Sequence, residues 1–328
     1  MDAQQTRSIL TVALMAAFAD GNKDEREREA IRRLAETLGA DSGVDMPALY
    51  RDVLLGKPEI ATVVSALETP ELRQYAYEMA VGVANADGAQ GAAETAFLQR
   101  LAQALGLSQQ AAQATAGAAS AVADAAFDAD DGIVAPAEGV GQSTSPVQGA
   151  VLGKASISDA EMDRVILKAS ITNAALELLP ETIASMAIIP LQMRLVYRIG
   201  QSYGYAMDRT HAKDFIATLG VGLTSQYVEQ FGRKLLGGLL GGVAGGLGRT
   251  LGRQAASSGL TFATTYAIGR VAQRYYAGGR TLDAAMLKQT FNALLAEARG
   301  MASRYQSEIE QAARTIDTRN LVSLVRQG

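Results

Sequence analysis

Carboxylates recur in this chain at one internal spacing. Residues 17–29 read AFADGNKDERERE and residues 84–96 read ANADGAQGAAETA, so Asp20 precedes Glu27 by the same seven positions that separate Asp87 from Glu94. In each stretch an Asp-Gly pair reverses the chain and the glutamate falls in the first turn of the next helix. Two carboxylates facing one another across such a turn offer the hard oxygen donors that calcium, magnesium or manganese takes, with Asp24 as a further donor in the first stretch. The same residues also have a purely structural reading. Asp24-Glu25-Arg26-Glu27 has capping-box spacing, Asp before Gly is ordinary turn chemistry, and acids in a first helical turn suit the helix dipole. Asp20, Asn22 and Asp24 imitate the opening of an EF-hand loop, but Glu25 stands where that loop needs glycine and Ile31 where it needs glutamate.

Helices must position these acids. Ile9, Val12, Ala13, Ala16 and Ala17 recur at helical spacing before the first Asp-Gly, and Ala30, Ile31, Leu34, Ala35 and Leu38 resume it afterwards. Shorter helices are expected at MPALYRDVLLG and PEIATVVSAL, and another from Pro70, each with a proline where a helix start tolerates one. At an offset of 67 residues, Ala13 aligns with Ala80, Ala17 with Ala84, Arg33-Leu34-Ala35 with Arg100-Leu101-Ala102 and Leu38-Gly39 with Leu105-Gly106. This is an internal duplication, and it predicts a pseudo-twofold helical bundle over residues 1–110.

The remainder divides into an Ala-rich segment and a Gly/Pro/Ser-punctuated linker over 111–158, a second helical domain over 159–280, and an amphipathic helix from Leu282 to about Thr315 with a tail to 328. Ser158 is placed to cap a helix, with Glu161 at capping-box spacing. Alanine and leucine abound, tryptophan is absent and no strand alternation is visible, so the predicted class is all-α. The charge is split. Residues 1–150 hold 10 Lys and Arg against 21 Asp and Glu, a balance of −11, whereas residues 151–328 balance to +7. The acidic half suits cations and repels nucleic acid; the basic half suits an anionic membrane surface or an acidic partner. No cysteine is present, which excludes disulfides and thiolate chemistry, and the start MDAQQTRSIL lacks a signal-peptide pattern, so the expected compartment is the cytoplasm.

Two apolar stretches dominate the basic half. Gly237, Gly241 and Gly245 form one small-residue stripe, and Gly238, Gly242 and Gly246 repeat it one step round, as in helices that approach closely and self-associate. The uncharged runs Leu235–Gly248 and Gln254–Gly269 contain 14 and 16 residues. Both fall short of the roughly 18–20 needed to span a bilayer. Basic residues recur at i,i+4 in Arg194/Arg198, Arg209/Lys213, Arg249/Arg253 and Arg270/Arg274. Such pairs suit an interfacial helix on anionic lipid, or equally a solvated face on a core helix.

No enzyme signature is complete. GAVLGKAS over 149–156 has its first glycine one residue too close for a phosphate loop and Ala155 where a magnesium-binding hydroxyl belongs, and GLGRTLG over 246–252 is too long for a dinucleotide fingerprint. His211 is the single histidine and is expected in the first turn of a helix, without a nucleophile beside it. The chain is therefore read as non-enzymatic, with no nucleotide and no catalytic residues.

The duplicated ADGNKDERERE and ADGAQGAAE turns, in helical hairpins each closed by Leu-Gly, resemble the bacterial tellurite-resistance TerB domain and the helical region of DjlA-type proteins. That resemblance implies divalent-cation binding at Asp20, Glu27, Asp87 and Glu94. The second repeat departs from it, with Gln90, Gly91 and Ala92 in place of Lys23, Asp24 and Glu25, and so offers fewer ligands. PLQMRLVYRIGQSYG, the glycine-rich stretch and FATTYAIGRVAQRYYAGG are similar to the C-terminal domain of YcjF-like proteins. Here the resemblance implies peripheral inner-membrane association and an Era-like GTPase partner, with Met193, Tyr197, Tyr203, Gly204, Tyr266, Gly269 and Tyr276 as matching packing positions. The combined expectation is a cation-binding, membrane-associated, homo-oligomeric adaptor in metal or envelope stress, whose acidic bundle is released from the basic domain when cations neutralise it. The competing expectation is a soluble oligomeric scaffold whose carboxylates only cap helices.

Overall fold

The computed structural model describes residues 2–21, 44–86, 91–127, 154–236 and 247–328, all α-helix, short 3-10 turns and connections, with no strand among them. Local signals set the helix starts. Helix α1 (Ala3–Ala17) begins where Asp2 Oδ1 accepts the Gln5 amide at 2.8 Å and Gln5 Oε1 accepts the Asp2 amide at 3.1 Å, a reciprocal cap. Asp45 caps α2 (Met46–Leu54), which carries Pro47 in its first turn; α3 (Ile60–Val64) is a short turn, and Thr69 caps α4 (Pro70–Ala84) with Pro70 opening it. Helix α5 (Ala92–Ala104) stops at Gly106, whose φ of +70° reverses the chain without the penalty a Cβ would bring. Helix α6 (Gln109–Ala125) completes the acidic half.

In the basic half, the Ser158 hydroxyl accepts the Glu161 amide at 3.2 Å and starts α7 (Asp159–Leu178). Helices α8 (Thr182–Met186), α9 (Ile188–Ser202), α10 (Arg209–Thr218), α11 (Leu223–Leu236) and α12 (Leu247–Ala277) follow. The long α12 is the axis of this half and packs along α7, α9 and α13 (Ala284–Ala302). Gly269 permits a close crossing, since a Cβ there would lie 2.9 Å from Ile166 Cγ2 and 3.1 Å from Leu195 Cδ2.

The two halves share one apolar core that runs from Ile9 in α1 to Leu294 in α13. Helix α11, from the basic half, lies against both α1 and α4 of the acidic bundle. Phe231 is fully buried there, its ring close over Gly82, and its carbonyl accepts the Tyr75 hydroxyl at 3.2 Å. At the edge of the junction, Arg209 Nη2 meets Asp124 Oδ1 at 2.7 Å, with both side chains partly exposed. Release of the acidic half by charge neutralisation, expected from the −11/+7 split, would have to open this shared core. Where Phe231 meets Gly82 the junction buries ring and small-residue packing, which is indifferent to charge.

The C-terminal segment also differs from expectation. In place of one helix from Leu282 to about Thr315, α13 ends at Ala302, a 3-10 turn covers Ser303–Tyr305, and α14 (Gln306–Thr315) packs along α7. Stacking of Tyr305 on Phe262, with ring centroids 5.5 Å apart, and full burial of Ile309 outweigh continuation of the helix. Helix α15 (Leu321–Gln327) then sets Leu321 and Val325 into a pocket of Val122, Leu176, Ile188 and Leu191. No helix among the described residues is long and apolar enough to cross a membrane. The six glycines of the 237–246 stripe and residues 128–153 of the linker lie outside the described residues.

Candidate functional site

The first acidic turn follows α1, where the Gly21 amide bonds to Phe18 O at 3.1 Å with φ of +69°, and Asp20 sits partly exposed beside it. The second turn leads into α5, which packs against α1, α3 and α4. Glu94, in the first turn of α5, is only 4% exposed, and its Oε2 accepts the Gly91 amide at 2.7 Å. For Glu94 the capping function is therefore observed directly. Glu27, Asp24 and Asp87 lie outside the described residues. Among the described residues no three acidic or histidine side chains gather as a metal ion would require.

His211 falls in the first turn of α10, as expected. Asp208 caps that helix, with Oδ1 accepting the His211 amide at 2.8 Å and lying 2.8 Å from His211 Nδ1. The backbone hydrogen bond from His211 and then the ring beside it hold the Asp208 carboxyl below its ordinary range.

Of the basic i,i+4 pairs, Arg194, Arg198, Arg209 and Arg270 bond within the protein and Arg274 is exposed, while the side chains of Arg249 and Arg253 lie outside those described. Arg194 is 0% exposed; its Nη1 donates to Ala126 O at 3.1 Å and its Nη2 to Arg326 O at 2.9 Å, joining the end of α6 to α15. Arg198 donates to the Gly328 carbonyl, Arg209 pairs with Asp124, and Arg270 pairs with Asp163 while its guanidinium lies over the Tyr266 ring. Spacing alone cannot separate these tied arginines from free ones, because it records which residues share a face and not what the face meets.

A buried charged group at the junction of the halves escapes sequence reasoning. Lys234, on α11, is 3% exposed, and its Nζ donates to Leu179 O at 2.8 Å and Glu181 O at 3.4 Å beyond the end of α7. An ammonium there satisfies the Leu179 carbonyl at the helix end, while Glu181 O also accepts the Ala184 amide at 3.2 Å. Glu177, also buried, is near enough to act on it. The signal was available: Tyr227, Phe231 and Lys234 share one helical face, so the lysine had to enter the core with the rings.

Burial pushes the Lys234 ammonium from its usual 10.5 down to about 8, opposed by the charges of Glu177 and Glu181. The unfolded chain keeps this proton to higher pH, so between those two values it binds more protons than the folded chain and stability rises with pH. The burial penalty is full below about 8 and relieved above it. From about pH 7.5 to about pH 9.5 the urea-unfolding free energy should gain on the order of 2 kcal/mol from this lysine. Lys234→Met should flatten the rise, and an equal rise in the variant would remove Lys234 as its source. Above the ordinary tyrosine range the buried phenols of Tyr75 and Tyr227, both raised by desolvation, act in the opposite sense.

These elements define an all-α protein with an acidic helical bundle at its N-terminus. Residues 1–119 match the family described as "Protein of unknown function (DUF533)", which is related to the TerB-like proteins. The match covers α1 to α5 and the first part of α6, about a third of the chain, and the YcjF-like resemblance of the basic half rests on its sequence motifs alone. No curated protein and no solved structure matches the chain.

Proposed function

We propose that the protein is a non-enzymatic adaptor that binds a divalent cation at the acidic turns of its N-terminal bundle and attaches peripherally, through its basic half, to the anionic inner face of the cell membrane. The observation that carries the cation-binding reading is the setting of Glu94. This carboxylate is held 4% exposed at the mouth of the second turn, on a helix packed against α1, whose end carries Asp20. One amide takes one of the roughly four acceptor positions of a carboxylate, so a capping role and a ligand role are compatible. An Era-like GTPase, further copies of this chain, and metal or envelope stress are the partners and setting that the two resemblances suggest.

Calorimetry tests this reading. Calcium or manganese should give heat with the full chain, and the Asp20→Asn/Asp87→Asn double variant should give none. The second reading, an oligomeric scaffold without metal function, draws on the Gly91–Glu94 hydrogen bond, and it prevails if the unaltered chain gives no heat with either ion.

A further inference from the structure

The basic half is positive, yet Arg194, Arg198, Arg209 and Arg270 all bond within the protein. A surface contact with anions has to come from elsewhere, and one arginine is set apart by its backbone. Arg280, in the turn after α12, has φ of +64° and is the one non-glycine residue among those described with positive φ. Gly279 beside it, at φ of +71°, adopts the same conformation without cost. For arginine that backbone costs roughly 1–2 kcal/mol.

The Arg280 amide closes the end of α12 on Tyr275 O at 2.8 Å, whereas its side chain makes only weak contacts inside the protein. Arg280 Nε reaches Tyr275 Oη at 3.5 Å, the outer limit of a hydrogen bond, and the guanidinium lies 5.8 Å from the Tyr205 ring. An exposed cation–π contact contributes only about 0.5–1 kcal/mol. These weak contacts do fix an orientation. Tyr205 is anchored by its hydroxyl on Tyr276 O at 3.3 Å, and Tyr275 and Tyr276 pack on Phe215 with centroids 5.4 and 5.9 Å away. The result is a rigid aromatic platform, drawn from the α9–α10 connection, α10 and the end of α12, with an exposed arginine on it. With Nε on the phenol, the two terminal nitrogens are left as a fork, the geometry that matches phosphate oxygens. Half-buried tyrosines beside an arginine are also the side chains that settle at a membrane interface. Exposed Arg274 lies one and a half turns upstream, and the nearest acid in sequence, Asp283, accepts the Met286 amide.

We infer that Arg280, on its tyrosine platform, is the contact by which the basic half engages the phosphate of an anionic phospholipid headgroup. This rests on the proposed membrane attachment and gives it a location. Flotation of the full chain with phosphatidylglycerol vesicles and with phosphatidylcholine vesicles tests both. The unaltered chain should float with the first only. Arg280→Gly, which removes the guanidinium and relieves the backbone, should melt no lower than the unaltered chain yet bind anionic vesicles roughly fivefold to tenfold more weakly. Arg280→Gln, which keeps the strained backbone and loses the charge, should lose as much. If the unaltered chain does not float, membrane attachment itself fails. If it floats and both variants float equally well, attachment stands and the role of Arg280 is overturned. Release of the protein from vesicles by millimolar inorganic phosphate, at constant ionic strength, would assign the site to free phosphate and also overturn it.

Discussion

Replacement of Arg194 by leucine should destabilise the protein by about 3–5 kcal/mol. Removal of a buried charge is often harmless when its partner is removed with it, but here the partners are backbone carbonyls that stay behind. Ala126 O closes α6 and Arg326 O lies near the end of α15, and both receive their hydrogen bonds from a side chain that water does not reach. Leucine matches the apolar part of the arginine and leaves both acceptors unsatisfied, at about 1–3 kcal/mol each. The desolvation cost of the guanidinium is recovered in the variant, which keeps the net effect near the middle of the range. Urea unfolding followed by circular dichroism measures it. Arg198→Leu is the control: its side chain is partly exposed and water can replace the bond to Gly328 O, so a loss of about 1 kcal/mol is expected. Equal stabilities for Arg194→Leu and the unaltered chain would show that α15 does not depend on this anchor.

Phe231→Ala should cost a similar amount, about 3–5 kcal/mol, through a different mechanism. The ring is fully buried, stacks on Tyr227 with centroids 5.9 Å apart, and fills the space that Gly82 leaves on α4. A Cβ on Gly82 would come within 2.8 Å of the ring, so neither side of the contact can close the gap by a small shift. Because this contact joins α11 to the acidic bundle, the loss should appear in both halves at once. Hydrogen exchange of amides in α1 and α4 should accelerate together with those in α11. Unchanged protection in α1 and α4 would mean that the acidic bundle is stable without the basic half, and the shared core would then count for little.

The acidic turns show how far sequence reasoning reaches. Duplication of the Asp-Gly turns and their place between helices follow from spacing, and the described parts of α1, α4 and α5 stand where periodicity puts them. The role of Glu94 does not follow in the same way. A glutamate in a first helical turn has the same sequence signature as cap and as ligand, and only its burial and the Gly91 amide on its oxygen show the cap. The basic pairs were less legible still. Arg194 reads as one member of a solvated face, while its guanidinium is bonded to carbonyls 68 and 132 positions away in sequence.

Sequence by itself determined the helical class and the starts marked by Pro47, Pro70 and Ser158, because caps, prolines and period are interactions within a few residues. Tertiary structure alone decided that α11 enters the acidic bundle, that the Lys234 ammonium meets the Leu179 carbonyl, that the helix from Leu282 breaks at Ser303, and that Arg280 is the strained arginine on an aromatic platform. Each of these depends on what a face meets across long separations, where burial, desolvation and shape outweigh local preference.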